Sequence, residues 1–170
     1  MKSSVFLLDA NVLITAKNTY YGFELCPGFW DVLLSAHRSE RVFSVDRIQD
    51  ELLKGDDDLA KWVQELPPTF FLDCNGAVGH FGAMQTWAMQ NPQFMPAAKE
   101  QFAKVADCWL MAKAKTHGFT VVTHEKWSSD IKRTIPIPNV CKQFSIAYTD
   151  AFAMLKAMRA SFASNGPRGD

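Results

Sequence analysis

Short apolar segments alternate with helical segments along this chain, and the alternation limits the folds open to it. Segments suited to buried strands occupy residues 5–8, 42–45, 69–72 and 119–123. Helical patterns cover residues 27–39, 46–53, 56–66, 77–90, 96–117 and 148–162. Strands that alternate with helices form parallel sheets covered on both faces. The sequence therefore predicts an α/β, three-layer fold with a central, mostly parallel β-sheet flanked by helices on both faces.

The 170 residues fit one domain. We expect that domain to span residues 1–162, with 76–104 as a helical insertion or elaboration and 163–170 as a flexible tail. No apolar run is long enough for a membrane span, and the N-terminal apolar run is too short for a signal peptide. The four cysteines are widely spaced, which is typical of buried thiols in a reducing compartment. We therefore expect a cytoplasmic protein without a zinc site.

The formal net charge is zero, but it is unevenly spread. Residues 1–90 hold 7 Lys and Arg against 12 Asp and Glu, whereas residues 91–170 hold 11 against 6. Overall neutrality argues against a protein that coats nucleic acid through bulk charge. It permits a local basic patch, and the segment from Lys126 to Lys142 has four basic residues and one acid.

The stretch FLLDANVLI places Asp9 at the end of a predicted buried strand. In parallel sheets, ligands bind at the carboxyl ends of the strands. A second predicted strand ends in the polar group Thr123, His124 and Glu125. We therefore expect Asp9 and Glu125 to lie near each other, with Thr123 able to hold a carboxylate or a water. His124 is more simply explained as a surface loop residue.

Two further acids are candidates for the same edge of the sheet. Asp107 falls on the apolar stripe of a predicted helix, where a carboxylate is costly unless it is paired or binds a metal. An alternative is that Asp107 caps a new helix after a break. Glu51 flanks the apolar side of the helix that follows residue 45, although, taken alone, it is more simply explained as a solvated helix charge.

Several carboxylates in one cleft repel each other by roughly 1 to 4 kcal/mol for a pair about 4 Å apart. Either some acids stay protonated or a divalent cation neutralises them. A site of oxygen ligands without Cys or His suits Mg²⁺ or Mn²⁺. Such a cation activates water for attack on a phosphodiester.

Three motifs in this order, FLLDANVLI, VDRIQDELLKG and VADCWLMAKAKTHGFTVVTHE, resemble those of PIN domains, the fold of many metal-dependent ribonucleases. The segments YYGFELCPGFWDVL and IPNVCKQFSI are closer to a PIN-like bacterial subfamily known mainly as a domain of unknown function. The resemblance runs from Ser4 to about Met158. It implies that Asp9, Glu51 and Asp107 bind the metal. The fourth acidic position falls on Glu125, where many PIN domains have Asp.

The same resemblance implies supporting roles for Asn11 and Thr123. It also implies a Mg²⁺- or Mn²⁺-dependent endoribonuclease similar to VapC-like toxins, whose products carry a 5′-phosphate and a 3′-hydroxyl. The expected partners are an RNA substrate, a cognate antitoxin protein and a second copy of the chain. A PIN-like module that binds RNA or protein without catalysis is the alternative. A phosphatase-like hydrolase ranks lower, because Asn11 stands where such enzymes carry a second acid.

Two segments keep two interpretations each. Trp127 and Lys126, followed by Lys132 and Arg133, are candidates for stacking a base and contacting phosphates, or else form a solvated basic loop. Residues 76–104, rich in Phe, Met, Trp and Gln, are extra core or a groove for a dimer partner or antitoxin.

Overall fold

The computed structural model describes residues 3–162, in which five strands and nine α-helices alternate. The strands are β1 (Phe6–Leu8), β2 (Val42–Val45), β3 (Phe71–Leu72), β4 (Thr120–Val122) and β5 (Tyr148–Thr149). The helices are α1 (Ala10–Thr15), α2 (Pro27–Arg38), α3 (Asp46–Leu52), α4 (Asp58–Glu65), α5 (Val78–Gln90), α6 (Pro96–Lys104), α7 (Asp107–His117), α8 (Ile137–Phe144) and α9 (Ala151–Ala157). A π-helical turn, Ala16–Tyr20, continues α1.

The five strands form one all-parallel sheet in the order β3-β2-β1-β4-β5. In the central strand β1, Leu7 pairs with Phe43 of β2 and with Val121 of β4. All three residues of β1 are buried, as expected for a strand with helices on both faces. The predicted PIN-like α/β fold, with a parallel sheet flanked by helices, is confirmed.

The region of residues 76–104 packs on α7, the helix behind the centre of the sheet. The side chains of Met84, Phe94 and Phe102 are buried there, and α5 lies against α7 along its length. Because α7 is covered by both the sheet and α5, Cys108 and Lys113 are buried as well. Leu110, Met111 and Ala114 of the predicted apolar stripe are buried, but the buried surface of α7 extends beyond that stripe.

Two predicted helices have different bounds in the structure. The helix predicted over 96–117 is two helices, since Val105 has extended backbone angles and α7 begins at Asp107. The helix predicted over 148–162 begins only after β5, where Asp150 caps α9 by accepting a hydrogen bond from the amide of Ala153. The predicted tail, 163–170, lies outside the described residues.

None of the helices between residues 3 and 162 has the length and hydrophobicity that a membrane span requires. Within the same range all four cysteines are free thiols, three of them buried. Cys74, Cys108 and Cys141 are buried as predicted, whereas Cys26 is half-buried.

Candidate functional site

Asp9 lies at the carboxyl end of the central strand. Its main-chain amide donates to the carbonyl of Val122 at 3.0 Å, which continues the pairing of β1 with β4 by one residue. The chain then turns into α1, so the carboxylate sits between the strand end and the helix start. The residue is 1% exposed. A carboxylate so completely removed from water needs partners that stabilise its charge.

The carboxylate of Asp9 has one hydrogen-bond partner among the described residues. The hydroxyl of Thr123 donates to Oδ2 at 3.0 Å, while Oδ1 is buried and unpartnered. Burial, then the charges of Asp107 and Glu125, raise the pKa of Asp9 to about 8; Thr123 and the nearby amide of Asn11 offset this only in part. Without a cation, Asp9 is therefore held largely protonated at neutral pH.

Asp107 is the first residue of α7, directly after the break that separates α6 from α7. The residue that caps α7 is Ala106, and the Asp107 side chain makes no cap hydrogen bond. Burial, then the charges of Glu125 and Glu51, raise the pKa of Asp107 to about 7. The helix break predicted by the alternative interpretation is present, but no side chain caps α7, and the charges of Glu125 and Glu51 raise the pKa of Asp107.

Glu125 is tied to two neighbouring elements. Its main-chain amide donates to the Thr123 hydroxyl at 3.2 Å, and its Oε2 accepts from the amide of Ile137, the first residue of α8, at 2.6 Å. Burial raises the pKa of Glu125, although the Ile137 hydrogen bond opposes the shift. Together with Asp107, Glu125 lines a cavity of about 90 Å³ under α6.

Glu51 lies on the solvent side of the other acids. It is exposed on α3 and affects the site through its charge, which raises the pKa of Asp107. It lines a second cavity of about 320 Å³, which we call the α3 cleft. The other charged side chains lining this cleft are Arg47, Asp50, Lys54 and Lys104.

Sequence reasoning missed three basic residues of the α3 cleft. Arg47 and Lys54 belong to the helical segment that carries Glu51, whereas Lys104 comes from the end of α6. The guanidinium of Arg47 lies 5.2 Å from the ring centroid of Trp109, which itself stacks on Phe81 at 3.9 Å. The sequence did contain one indication of this basic group, because Arg47 and Lys54 flank Glu51 in VDRIQDELLKG.

The remaining predicted residues differ in their surroundings. Asn11 is exposed on α1, so its contribution to the site is the main-chain amide near Asp9. His124 follows β4 in a loop, as predicted, but it is half-buried and packs against the aromatic rings of Tyr20 and Phe152. Four side chains predicted to contact RNA are exposed on the segment after β4: Lys126, Trp127, Lys132 and Arg133.

The donor atoms of the acids suit Mg²⁺ or Mn²⁺ better than their arrangement does. The donor set is all oxygen, and the unpartnered Oδ1 of Asp9 is the type of atom that a hard cation satisfies. As the side chains stand, no group of three or more His, Cys, Asp or Glu within residues 3–162 is arranged to hold a metal ion. The chemistry of the donors therefore fits the cation, while their arrangement is not that of a closed coordination sphere.

The fold is an α/β fold with PIN-like topology, and it places the buried Asp9 at the carboxyl end of the central strand, where the charges of the half-buried Asp107 and Glu125 raise its pKa. The sequence matches the family described as Domain of unknown function (DUF4411) over residues 6–162, and the chain belongs to that family. No curated protein and no solved structure matches the chain. The description of the family names no activity, so function has to be inferred from the site.

Proposed function

We propose that this protein is a Mg²⁺- or Mn²⁺-dependent endoribonuclease that hydrolyses RNA phosphodiester bonds. One observation carries the proposal. Asp9 is buried at the carboxyl end of β1, burial and the charges of Asp107 and Glu125 raise its pKa, and its Oδ1 has no hydrogen-bond partner among the described residues. Uncompensated carboxylates of this kind are common at functional sites and uncommon in cores built only for stability.

Each acid has a distinct task in this proposal. Asp9 contributes its unpartnered oxygen to the cation, while Thr123 keeps the other oxygen in place. Asp107 and Glu51 contribute carboxylates from two different helices. Glu125 has one oxygen engaged with α8 and the second left for the cation or for a water. A bound Mg²⁺ or Mn²⁺ supplies an activated water and stabilises the charge that develops on the phosphodiester.

The α3 cleft gives this proposal a place for the RNA backbone. Arg47, Lys54 and Lys104 surround Glu51 there, and basic side chains are the groups that neutralise phosphates. Without such cations, the acids would repel the polyanionic substrate.

The experiment that tests the nuclease is cleavage of a mixed structured RNA by the purified protein in Mn²⁺, in Mg²⁺ and in EDTA. We expect cleavage with either cation and none in EDTA, with loss of cleavage in Asp9→Asn. Asp31→Asn is a matched control, because Asp31 is an exposed acid on α2, outside both the basic loop and the α3 cleft. Cleavage that persists in Asp9→Asn would exclude this site as its source.

A catalytically inactive RNA- or protein-binding module is the second candidate. It is favoured by the open arrangement of the acids and by the engagement of Glu125 with Ile137. The two candidates differ in their response to cations. If the protein is a nuclease, Mn²⁺ should raise its melting temperature, and Asp9→Asn should abolish that rise. If it is an inactive module, Mn²⁺ should have the same effect on the wild type and on Asp9→Asn.

We further propose, on the resemblance to VapC-like toxins, that the nuclease acts in the cytoplasm as a homodimer and is the toxin of a type II toxin–antitoxin pair. A small neighbouring reading frame that encodes a DNA-binding domain would support the toxin–antitoxin assignment. Co-expression of its product should suppress RNA cleavage. Continued cleavage in the co-purified complex would contradict an antitoxin role for that product.

A further inference from the structure

A groove lies beside the acids on the α8 side of the site, and we call it the Trp127 groove. Its volume is about 440 Å³, within the range of roughly 300–1,000 Å³ found for ligand sites. The side chains that define it are Trp87, Asn91, Trp127, Lys142 and Gln143. Aromatic faces, carboxamides and a cation are the groups that together recognise a nucleobase and its phosphate.

The loop that carries Trp127 is anchored on both sides. Before it, Glu125 accepts from the amide of Ile137 at 2.6 Å. After it, Ser128 and the side chain of Asn139 exchange two hydrogen bonds, at 3.1 and 2.7 Å. Asn139 is a buried polar residue on α8. These contacts fix the loop to α8 at both ends and leave the indole ring between them.

Trp127 itself is 46% exposed, although burial of an indole would be favourable. Its ring is held from one side by Lys142, whose Nζ lies 4.3 Å from the ring centroid. Trp87, which also lines the groove, packs edge-on against Phe94 and Phe144. The hydrogen bonds to α8 on either side of Trp127 fix the backbone that carries the exposed ring, which lowers the entropic cost of stacking a ligand on it.

The groove is close to the acids along the chain. Trp127 follows Glu125 by two residues, so their Cα atoms are no more than about 7 Å apart. That separation is comparable to the spacing of successive nucleotides in an extended strand. The α3 cleft lies on the other side, because Glu51 follows β2, Glu125 follows β4, and β1 with Asp9 runs between them.

We propose that the Trp127 groove binds one unpaired base of single-stranded RNA, next to the phosphate that lies over the acids. The inference rests on the proposed nuclease function and names its substrate as single-stranded. The base stacks on Trp127, Lys142 contacts the adjoining phosphate, and Asn91 and Gln143 offer donors and acceptors to the base edge. Lys126, Lys132 and Arg133 on the same segment favour a polyanion over an uncharged ligand or an apolar protein segment.

The test is binding, measured in EDTA so that it does not depend on cleavage. The probe is a fluorescein-labelled single-stranded RNA of about 12 nucleotides, a length on the scale of single-strand binding sites, followed by fluorescence anisotropy. A second probe has the same length and backbone but lacks bases. The variants are Trp127→Ala, Trp127→Phe, Trp127→Leu and Lys142→Gln, with Leu25→Ala as a control at a fully exposed apolar residue.

We expect Trp127→Ala and Trp127→Leu to weaken binding of the RNA by about 5- to 150-fold, the effect of losing one base–aromatic stack. Trp127→Phe should keep most of the affinity, and none of the three should change binding of the abasic probe. Lys142→Gln should weaken both probes, and Leu25→Ala neither. Trp127→Leu keeps an apolar side chain but has no aromatic face, and unchanged binding of the abasic probe shows that the variant is folded.

Three outcomes would overturn the groove proposal: no RNA binding by the wild type, equal affinity of wild type and Trp127→Leu, or equal losses for both probes. The last outcome would mean that the loop contacts only the backbone. Base-dependent binding with no cleavage in any cation would overturn the nuclease and leave the groove in place. Metal-dependent cleavage together with RNA binding that the Trp127 variants leave unchanged would support the nuclease and overturn the groove proposal.

Discussion

Oε2 of Glu125 accepts a hydrogen bond from the main-chain amide of Ile137 at 2.6 Å, so the acid that follows β4 also holds the first turn of α8. A free amide at a helix start is one of the groups that need an acceptor from outside the helix. The longer side chain of Glu, compared with Asp, explains how the carboxylate reaches α8. It also leaves a single oxygen of Glu125 for the site.

Replacing Glu125 with Ala should destabilise the fold by about 1–2 kcal/mol, the cost of losing a helix N-terminal acceptor. Glu125→Gln keeps an acceptor and should cost much less. The measurement is urea unfolding at about pH 5.5, where the raised pKa values keep Asp9 and Asp107 mostly protonated. At this pH, loss of the Glu125 charge does not stabilise the fold by relieving repulsion among the acids. Equal stability of the Ala and Gln variants would show that the Ile137 hydrogen bond contributes nothing.

In metal-free protein, thermal stability should fall as pH rises from about 4 towards 8. The folded state keeps protons on Asp9 and Asp107 that the unfolded state, with a carboxyl pKa near 3.8, has already lost. Because the folded state binds more protons in this window, its stability falls as pH rises through it. Differential scanning fluorimetry in EDTA across this range measures the slope.

Asp9→Asn should flatten that slope and raise the melting temperature near pH 8 by roughly 2–8 °C, equivalent to about 1–2 kcal/mol in a chain of this size. Asp107→Asn should act in the same direction with a smaller effect. Asp130→Asn, at an exposed acid, is the control and should leave the slope unchanged. A lower melting temperature in Asp107→Asn would instead assign that carboxylate a structural role at the start of α7.

Thr123→Val should affect both acids, since the hydroxyl donates to Asp9 and accepts from the amide of Glu125. Loss of these two bonds should cost about 1–3 kcal/mol and raise the pKa of Asp9 further. The Mn²⁺-induced rise in melting temperature should then require a higher pH than in the wild type. Thr123→Ser keeps the hydroxyl and should restore the original pH dependence; the same shift in Ser and Val would contradict this role.

Glu51→Gln separates function from stability, because Glu51 is exposed and makes no hydrogen bond through its side chain to any of residues 3–162 that the structure describes. Its stability should stay within about 0.5 kcal/mol of wild type. RNA cleavage in Mn²⁺ should fall by at least tenfold, a loss of about 1.4 kcal/mol in transition-state stabilisation. Asp50→Asn, an exposed acid of the same helix and cleft, is the matched control. Equal activity of the two variants would remove Glu51 from the site.

Much of the sheet could be predicted because its strands carry their own signals. Residues 42–45 form a strand with the predicted bounds, and the apolar run before Asp9 forms the central strand. The bounds of helices were harder to predict where contacts with distant residues, rather than the local spacing of apolar residues, decide where a helix begins. The segment 137–144 was not predicted as a helix at all, because its first turn depends on an acceptor from Glu125, twelve residues away.

The sequence by itself determined the α/β class, the position of Asp9 at a strand end and the set of acids to consider, since hydrophobic periodicity and chain order are local properties. Only the tertiary structure decided how those acids interact. The break before Asp107, the contact of Thr123 with Asp9 across 114 residues and the anchoring of Trp127 between two hydrogen-bonded ends all depend on elements distant in the chain. Burial of the acids is likewise a property of the packed sheet and helices, and burial is the largest cause of their raised pKa values.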